Sequence, residues 1–262
     1  MKTRTVQVGD VVFGGAAVVL IAGPCAVETE DQLAATARAV ASQGARVLRG
    51  GAYKPRTNPR SFQGLGPDGL RLLAQVKRET GLLLQTEITA PTQLDDFAAA
   101  GVDILQIGSR NMHNYELLKT VGRSDFAVFL KRGYMATVDE FIQAAEYVAD
   151  GGNDRLILCE RGIRTFESRT RFTFDVGAVP ALKTLAPWPV AVDPSHAAGR
   201  AEYVGPLAKA GVAAGADAVM VEVHPTPPQA LSDGLQSLDF AQFAALVAEL
   251  KPLAAALGRT LG

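Results

Sequence analysis

Short apolar runs, each closed by a glycine or a polar group and followed by a longer amphipathic stretch, recur along the chain. The runs are VVLIAG at 18–23, ARVLRG at 45–50, LLLQTE at 82–87, DILQIG at 103–108, FAVFLKRG at 126–133, RLILCERG at 155–162, PVAVDPSH at 189–196 and DAVMVEVH at 217–224. Continuous rather than alternating apolar character marks strands buried on both faces, as in parallel sheets. The stretches between them carry helix punctuation. Thr29-x-x-Gln32 precedes LAATARAVASQG with Gly44 at its end, and Pro67-Asp68 opens a helix that Gly81 closes. Thr137-x-x-Glu140 opens another, and Asp239 begins FAQFAALVAELKPLAAAL. Eight strands alternating with eight helices predict an α/β fold, a (β/α)8 TIM barrel; a doubly wound open sheet is the alternative, because periodicity does not report closure. Ahead of the first run, TRTVQV, Gly9-Asp10 and VVFGG predict a short N-terminal β-hairpin, residues 1–15. The expectation is one domain over 1–262, its last helix closing the chain, with no regulatory domain attached.

Composition narrows the class. The chain has 262 residues, 48% hydrophobic and 20% charged, enough for one large core. A net charge of −1 gives no global attraction to nucleic acid or to an anionic membrane, so any anion must be held by a local cluster. Two cysteines, Cys25 and Cys159, make no disulfide framework and point to a reducing, cytoplasmic setting. The uncharged stretch from Val11 to Val27 comes after Lys2 and Arg4, as in a leader peptide. It contains Gly14-Gly15 and Gly23-Pro24 and is too short to span a membrane, so a hairpin and then a strand is the reading preferred.

A barrel of this kind carries its chemistry at the carboxyl ends of its strands. The residues just beyond each run are almost always ionisable: Cys25; then Arg49, Lys54, Arg56 and Thr57; Glu87; Ser109-Arg110; Lys131-Arg132; Glu160-Arg161; Asp193 and His196; Glu222 and His224. The opposite rim offers Asp103, Arg155 and Asp217, read as solvated. One set is basic: Arg49, Lys54, Arg56, Arg110, Lys131 and Arg161. Guanidinium forks and glycine-rich turns suit phosphate and carboxylate oxygens, and so many cations on one rim imply two anionic substrates. Arg132 and Arg164 fit surface ion pairs equally well. The other set is Cys25, His196, Glu222 and an acid in the loop after the eighth strand. Sulfur, nitrogen and oxygen donors together suit manganese, iron, zinc or cobalt rather than magnesium. Cys159 reads as core and His113 as surface; His224 has no assignment.

The segments IAGPCAVE, RGGAYKPRTNPRSFQGLG, IGSRNMHN, FLKRG, ERGIRTFE, VDPSHAAGR and MVEVHPTPPQALSDGLQSL resemble, in order and over roughly residues 15–245, the short type Iβ form of 3-deoxy-D-arabino-heptulosonate 7-phosphate (DAHP) synthase. The resemblance implies condensation of phosphoenolpyruvate with D-erythrose 4-phosphate and water to DAHP and inorganic phosphate, the first step of the shikimate pathway to aromatic amino acids. It implies that Arg110, Lys131 and Arg161, with Arg49 and Lys54 beside them, hold phosphoenolpyruvate. Arg56 and Thr57 would take the aldose phosphate, with Lys54 between the substrates. Glu87, Ser109 and Asp193 complete the expected substrate site. Cys25, His196, Glu222 and Asp233 would bind a divalent metal, Asp233 being chosen over Asp239. The family also implies a homodimer or homotetramer, with feedback control left to a separate regulatory protein. The alternative is a KDO-phosphate synthase or a related phosphoenolpyruvate–aldose condensing enzyme, which resembles this chain less at Lys54-Pro55-Arg56-Thr57.

Overall fold

The structure, a computed structural model, describes residues 4–262. The N-terminal hairpin pairs β1 (Val6–Val8) with β2 (Val11–Phe13) antiparallel around Gly9-Asp10. Eight parallel strands come next: β3 (Ala17–Gly23), β4 (Val47–Arg49), β5 (Leu83–Glu87), β6 (Ile104–Ile107), β7 (Ala127–Lys131), β8 (Leu156–Glu160), β9 (Val190–Val192) and β10 (Ala218–Glu222). Each pairs with its sequence neighbours. The β10–β3 pairing, Ala218 beside Val19 through Glu222 beside Gly23, closes the barrel and excludes the open sheet.

The helices are α1 (Glu30–Ser42), α2 (Pro67–Thr80), α3 (Leu94–Ala99), α4 (Tyr115–Gly122), α5 (Val138–Ala149), α6 (Ala178–Leu185), α7 (Pro194–Ala198), α8 (Ala201–Ala213) and α9 (Phe240–Ala256). Their ends obey the local chemistry. Thr29 Oγ1 accepts from Gln32 N, Thr137 and Glu140 cap each other's backbone, and Asp239 does the same with Gln242. The unexpected helix is α7, a single turn begun by Asp193 and Pro194 and ended by Gly199 in the left-handed conformation. The chain also does not stop at α9: β11 (Thr260–Leu261) adds a parallel pairing to β3.

Two apolar layers hold the barrel. The outer one, between strands and helices, includes Leu33, Leu73, Phe97, Phe141, Val190 and Phe243. The inner one fills the barrel's lower half with Val19, Ile21, Val47, Ile104, Phe129, Ile157 and Met220, and the hairpin contributes Val6, Val8, Val11 and Phe13 to it. The hairpin is therefore a stopper in the amino-terminal end. Two groups there correct the solvated reading. Asp217 is 2% exposed and binds Lys183, Arg259 and the amide of Val190. Asp103 binds Lys77 and the amide of Leu84. An amide at a strand's start has no ladder partner, and these carboxylates supply one.

Candidate active site

Side chains two apart on a strand share a face. Along the inward face of most strands, small or apolar residues give way to polar ones toward the carboxyl end: Val47 then Arg49; Leu83, Gln85, Glu87; Ala127, Phe129, Lys131; Ile157, Cys159, Arg161; Ala191, Asp193; Ala218, Met220, Glu222. The sheet thus delivers one ring of ionisable groups above an apolar one. Cys159 belongs to the apolar ring. The outward-facing Arg132 and Glu160 pair with each other at 2.8 Å, and Arg132 also binds Asp175 at 2.8 Å, so Arg132 is a buried structural ion pair rather than part of the mouth.

Above the ring lies a cavity of about 280 Å³. Its wall includes Arg49, Lys54, Arg56, Thr57, Glu87, Ser109, Arg110, Lys131, Arg161, His196 and Asp233. Cys25, Asp193 and Glu222 lie beneath it, 2%, 0% and 0% exposed. The loop after β4 reaches over the mouth through Gly50, Gly51 and Pro55. It sets Lys54 Nζ 3.0 Å from Cys25 Sγ and Arg56 Nη1 2.5 Å from Ser232 Oγ. At Gly23 any Cβ would stand 2.0 Å from the carbonyl oxygen of Arg49, so only glycine lets β3 and β4 come this close below the site.

At the floor, ligand atoms of Cys25, His196, Glu222 and Asp233 lie within 4.8 Å of one another. Cys25 Sγ is 3.2 Å from Asp233 Oδ2, and His196 Nε2 is 3.4 Å from Glu222 Oε1 and 3.8 Å from Asp233 Oδ2. Donors about 2.0–2.3 Å from one tetrahedral zinc-like ion stand about 3.3–3.8 Å apart, so the set fits a divalent transition metal. Its electrostatics agree. Burial holds His196 below its ordinary pKa, against the pull of Asp193 and Glu222. Its Nδ1 is 2.7 Å from Asp193 Oδ2, which leaves the Nε2 lone pair for the cluster. Burial raises the Glu222 and Asp233 carboxyls, but His196, with Arg49 for one and Arg171 for the other, overcomes it and holds both low. Burial, then Glu222, pushes the Cys25 thiol up to about 12. Asp239 is not in the cluster; it caps α9.

Sequence reasoning passed over several lining groups. Arg171 Nη1 donates to Asp233 Oδ1 at 3.2 Å and Gln236 Oε1 at 2.8 Å. Tyr134 sits between arginines, and Gln106 bonds Gln85 and Glu87. Arg171 lies in a loop with several arginines and no spacing to single one out; Tyr134 had only its place after Lys131-Arg132-Gly133. His224 points away from the cluster, its Nε2 3.4 Å from Glu28, whose other oxygen accepts from Leu231 N in the loop that carries Asp233. His113 is exposed, as expected of a surface residue.

A profile of the DAHP synthetase I family matches residues 3–256. The chain is 50% identical over 257 residues to phospho-2-dehydro-3-deoxyheptonate aldolase of Thermotoga maritima, covering 98% of this chain and 76% of that one. A solved structure of a truncated 3-deoxy-D-arabino-heptulosonate 7-phosphate synthase from Thermotoga maritima superposes with a TM-score of 0.93 at 45% identity, covering 100% of this chain and 95% of that one. A 2-dehydro-3-deoxyphosphooctonate aldolase of Syntrophotalea carbinolica is 35% identical over 91% of each chain.

Proposed function

Since this chain belongs to the DAHP synthetase I family, we infer that the mouth of its barrel is where phosphoenolpyruvate condenses with D-erythrose 4-phosphate and water to give DAHP and inorganic phosphate. The observation that carries this placement is the convergence, in one 280 Å³ cavity, of a basic wall and a four-donor metal cluster. The identity to a heptonate enzyme supports the four-carbon aldose, because a three-carbon donor and a four-carbon acceptor make seven carbons.

Cys25, His196, Glu222 and Asp233 would hold a divalent metal, which when bound would supply Lewis-acid polarisation of the aldehyde carbonyl. Arg110, Lys131 and Arg161 grip the phosphate and carboxylate of phosphoenolpyruvate, with Arg49 at the base. Arg56 and Thr57 take the aldose phosphate at the outer end, so the donor's C3 and the aldehyde carbon face each other across Lys54. C3 attacks that carbon, Lys54 Nζ protonates the aldehyde oxygen, and positive charge develops at C2. Water adds at C2. Asp193 is enclosed behind Lys131 and His196, whereas Glu87 lines the cavity, which supports Glu87 as the base that takes the water's proton. The tetrahedral carbon then expels phosphate by C–O cleavage, and the same cations neutralise the leaving group. Among the described residues no helix is long and apolar enough to cross a membrane. The cytoplasmic setting is proposed from the two cysteines, neither of which is in a disulfide.

Phosphate release from phosphoenolpyruvate, measured with erythrose 4-phosphate or arabinose 5-phosphate and with or without chelator, tests this reading. Turnover confined to erythrose 4-phosphate, lost on chelation and restored by a divalent metal, is expected. Turnover only with arabinose 5-phosphate would make the protein an octonate enzyme, and turnover surviving exhaustive chelation would remove the metal from the reaction.

A further inference from the structure

Around the cavity, cations divide by how they are compensated. Arg49 pairs with Glu222, Lys131 with Asp193 and Arg171 with Asp233. Lys54, Arg56, Arg110 and Arg161 in the wall, and the exposed Arg164 beside it, have no carboxylate within ion-pair distance among the described residues. Three of these, Arg110, Arg161 and Arg164, share the ring of Tyr134: their guanidinium carbons lie 5.5, 5.1 and 5.7 Å from its centroid. Arg161 also lies 3.9 Å from the Phe172 centroid, and Phe172 stacks on Tyr134 at 5.0 Å with 13° between the planes. Arg161 is 2% exposed, and its Nε has no hydrogen-bond partner.

The aromatic pair is itself held firmly. Arg164 N donates to Tyr134 O at 2.6 Å, and Ile163 and Thr173 form a bridge that closes the loop carrying Phe172. Gly162, at φ +87°, lets that loop approach; a Cβ there would meet Phe172 Cβ at 2.7 Å. Below, Glu160 accepts from Gly162 N at 2.6 Å and from Arg132, which also donates to the carbonyl of Ala136, tying together the loops that bear the two rings.

We propose that Tyr134, backed by Phe172, is a positioning residue for the phosphoenolpyruvate site, gathering Arg110 and Arg161, with Arg164 at the outer edge, on a neutral aromatic face so that the first two converge on the incoming anion with their charge intact. A carboxylate in its place would hold the arginines but cancel the field that draws the substrate. The electron-rich face of a phenol attracts guanidinium groups and leaves their net charge unchanged. The inference rests on the assignment of phosphoenolpyruvate to this wall.

The test uses the full chain loaded with Mn²⁺. Binding of phosphoenolpyruvate is monitored by calorimetry without aldose, together with KM for each substrate and kcat. Tyr134→Leu should weaken phosphoenolpyruvate binding about tenfold, with kcat at saturation and KM for erythrose 4-phosphate nearly unchanged. Tyr134→Phe should restore it. Phenylalanine carrying one, two or three ring fluorines at 134 should weaken binding stepwise, because fluorine drains the ring face while keeping its shape. This near-isosteric series stands even if Tyr134→Leu does not fold. Wild-type affinity in Tyr134→Leu, or a flat fluorine series, overturns the proposal while leaving the substrate assignment intact. A wild-type protein that binds no phosphoenolpyruvate overturns both.

Discussion

Lys131 and Asp193 form a buried ion pair at the cavity floor, Nζ 2.5 Å from Oδ2, with side chains 4% and 0% exposed. Burial alone would push the carboxyl up, but His196 and Lys131 together hold it well below the ordinary value of 3.8. Stability from a carboxylate lowered in this way is fully present above its unfolded pKa and is lost as pH falls through the folded one. Asp193→Asn should cost about 3 kcal/mol at neutral pH by leaving Lys131 buried without a counter-charge. It should also flatten the loss of stability below about pH 4. Urea unfolding across that range measures both, and an unchanged curve would mean that the pair contributes nothing.

Cys25 has one role to lose. It is 2% exposed, and its sulfur faces Asp233, Ser232 and Lys54. Cys25→Ala should fold, with a stability loss of about 1 kcal/mol from the small void. Metal titration should show affinity reduced about 100-fold or more, with turnover falling alongside. Wild-type metal affinity in this variant would remove Cys25 from the ligand set.

The same thiol sets the pH dependence of metal uptake. With its pKa near 12, Cys25 carries its proton at neutral pH before metal binds. A metal takes the thiolate, so each ion bound should release about one proton, and affinity should rise about tenfold per pH unit below that value. Calorimetry in two buffers of different ionisation heat counts the proton. No buffer dependence would mean that the sulfur stays protonated or unbound.

Phe13, 0% exposed at the barrel's lower end, offers the opposite dissociation. Phe13→Ala should lower stability by about 3–5 kcal/mol. KM for either substrate, measured well below the unfolding temperature, should stay within about twofold, since the apolar ring separates the stopper from the mouth. A large KM change would show that the two rings are coupled.

Strand positions were legible because burial on both faces leaves an apolar run that polar loops cannot imitate. Residues within a strand, such as Arg49, Lys131 and Glu222, were legible with them, since the period of two fixes their direction once the strand is placed. The helix α7, which carries His196, was hidden inside what reads as one strand-and-loop segment, PVAVDPSH, because a single turn has too little periodicity to register. Arg171 and Tyr134 were invisible for a different reason. Both sit in loops whose course depends on Gly162, Glu160 and Arg132 meeting in space, and no local rule relates those positions. The choice of Asp233 over Asp239 needed the family resemblance. By local chemistry Asp239 is an ordinary helix cap, and only the folded loop, with Asp233 at φ 54°, brings the Asp233 carboxylate to the donor cluster.

The hairpin β1–β2 and the strand side chains above it make the barrel a well with a solid floor. With Val6, Val8, Val11 and Phe13 filling the lower end, everything the reaction consumes or sheds shares one opening: two sugar-sized anions entering, a water molecule, and then free phosphate and a seven-carbon acid leaving. Traffic in both directions therefore passes the same rim, where Arg56, Thr57 and Arg110 stand.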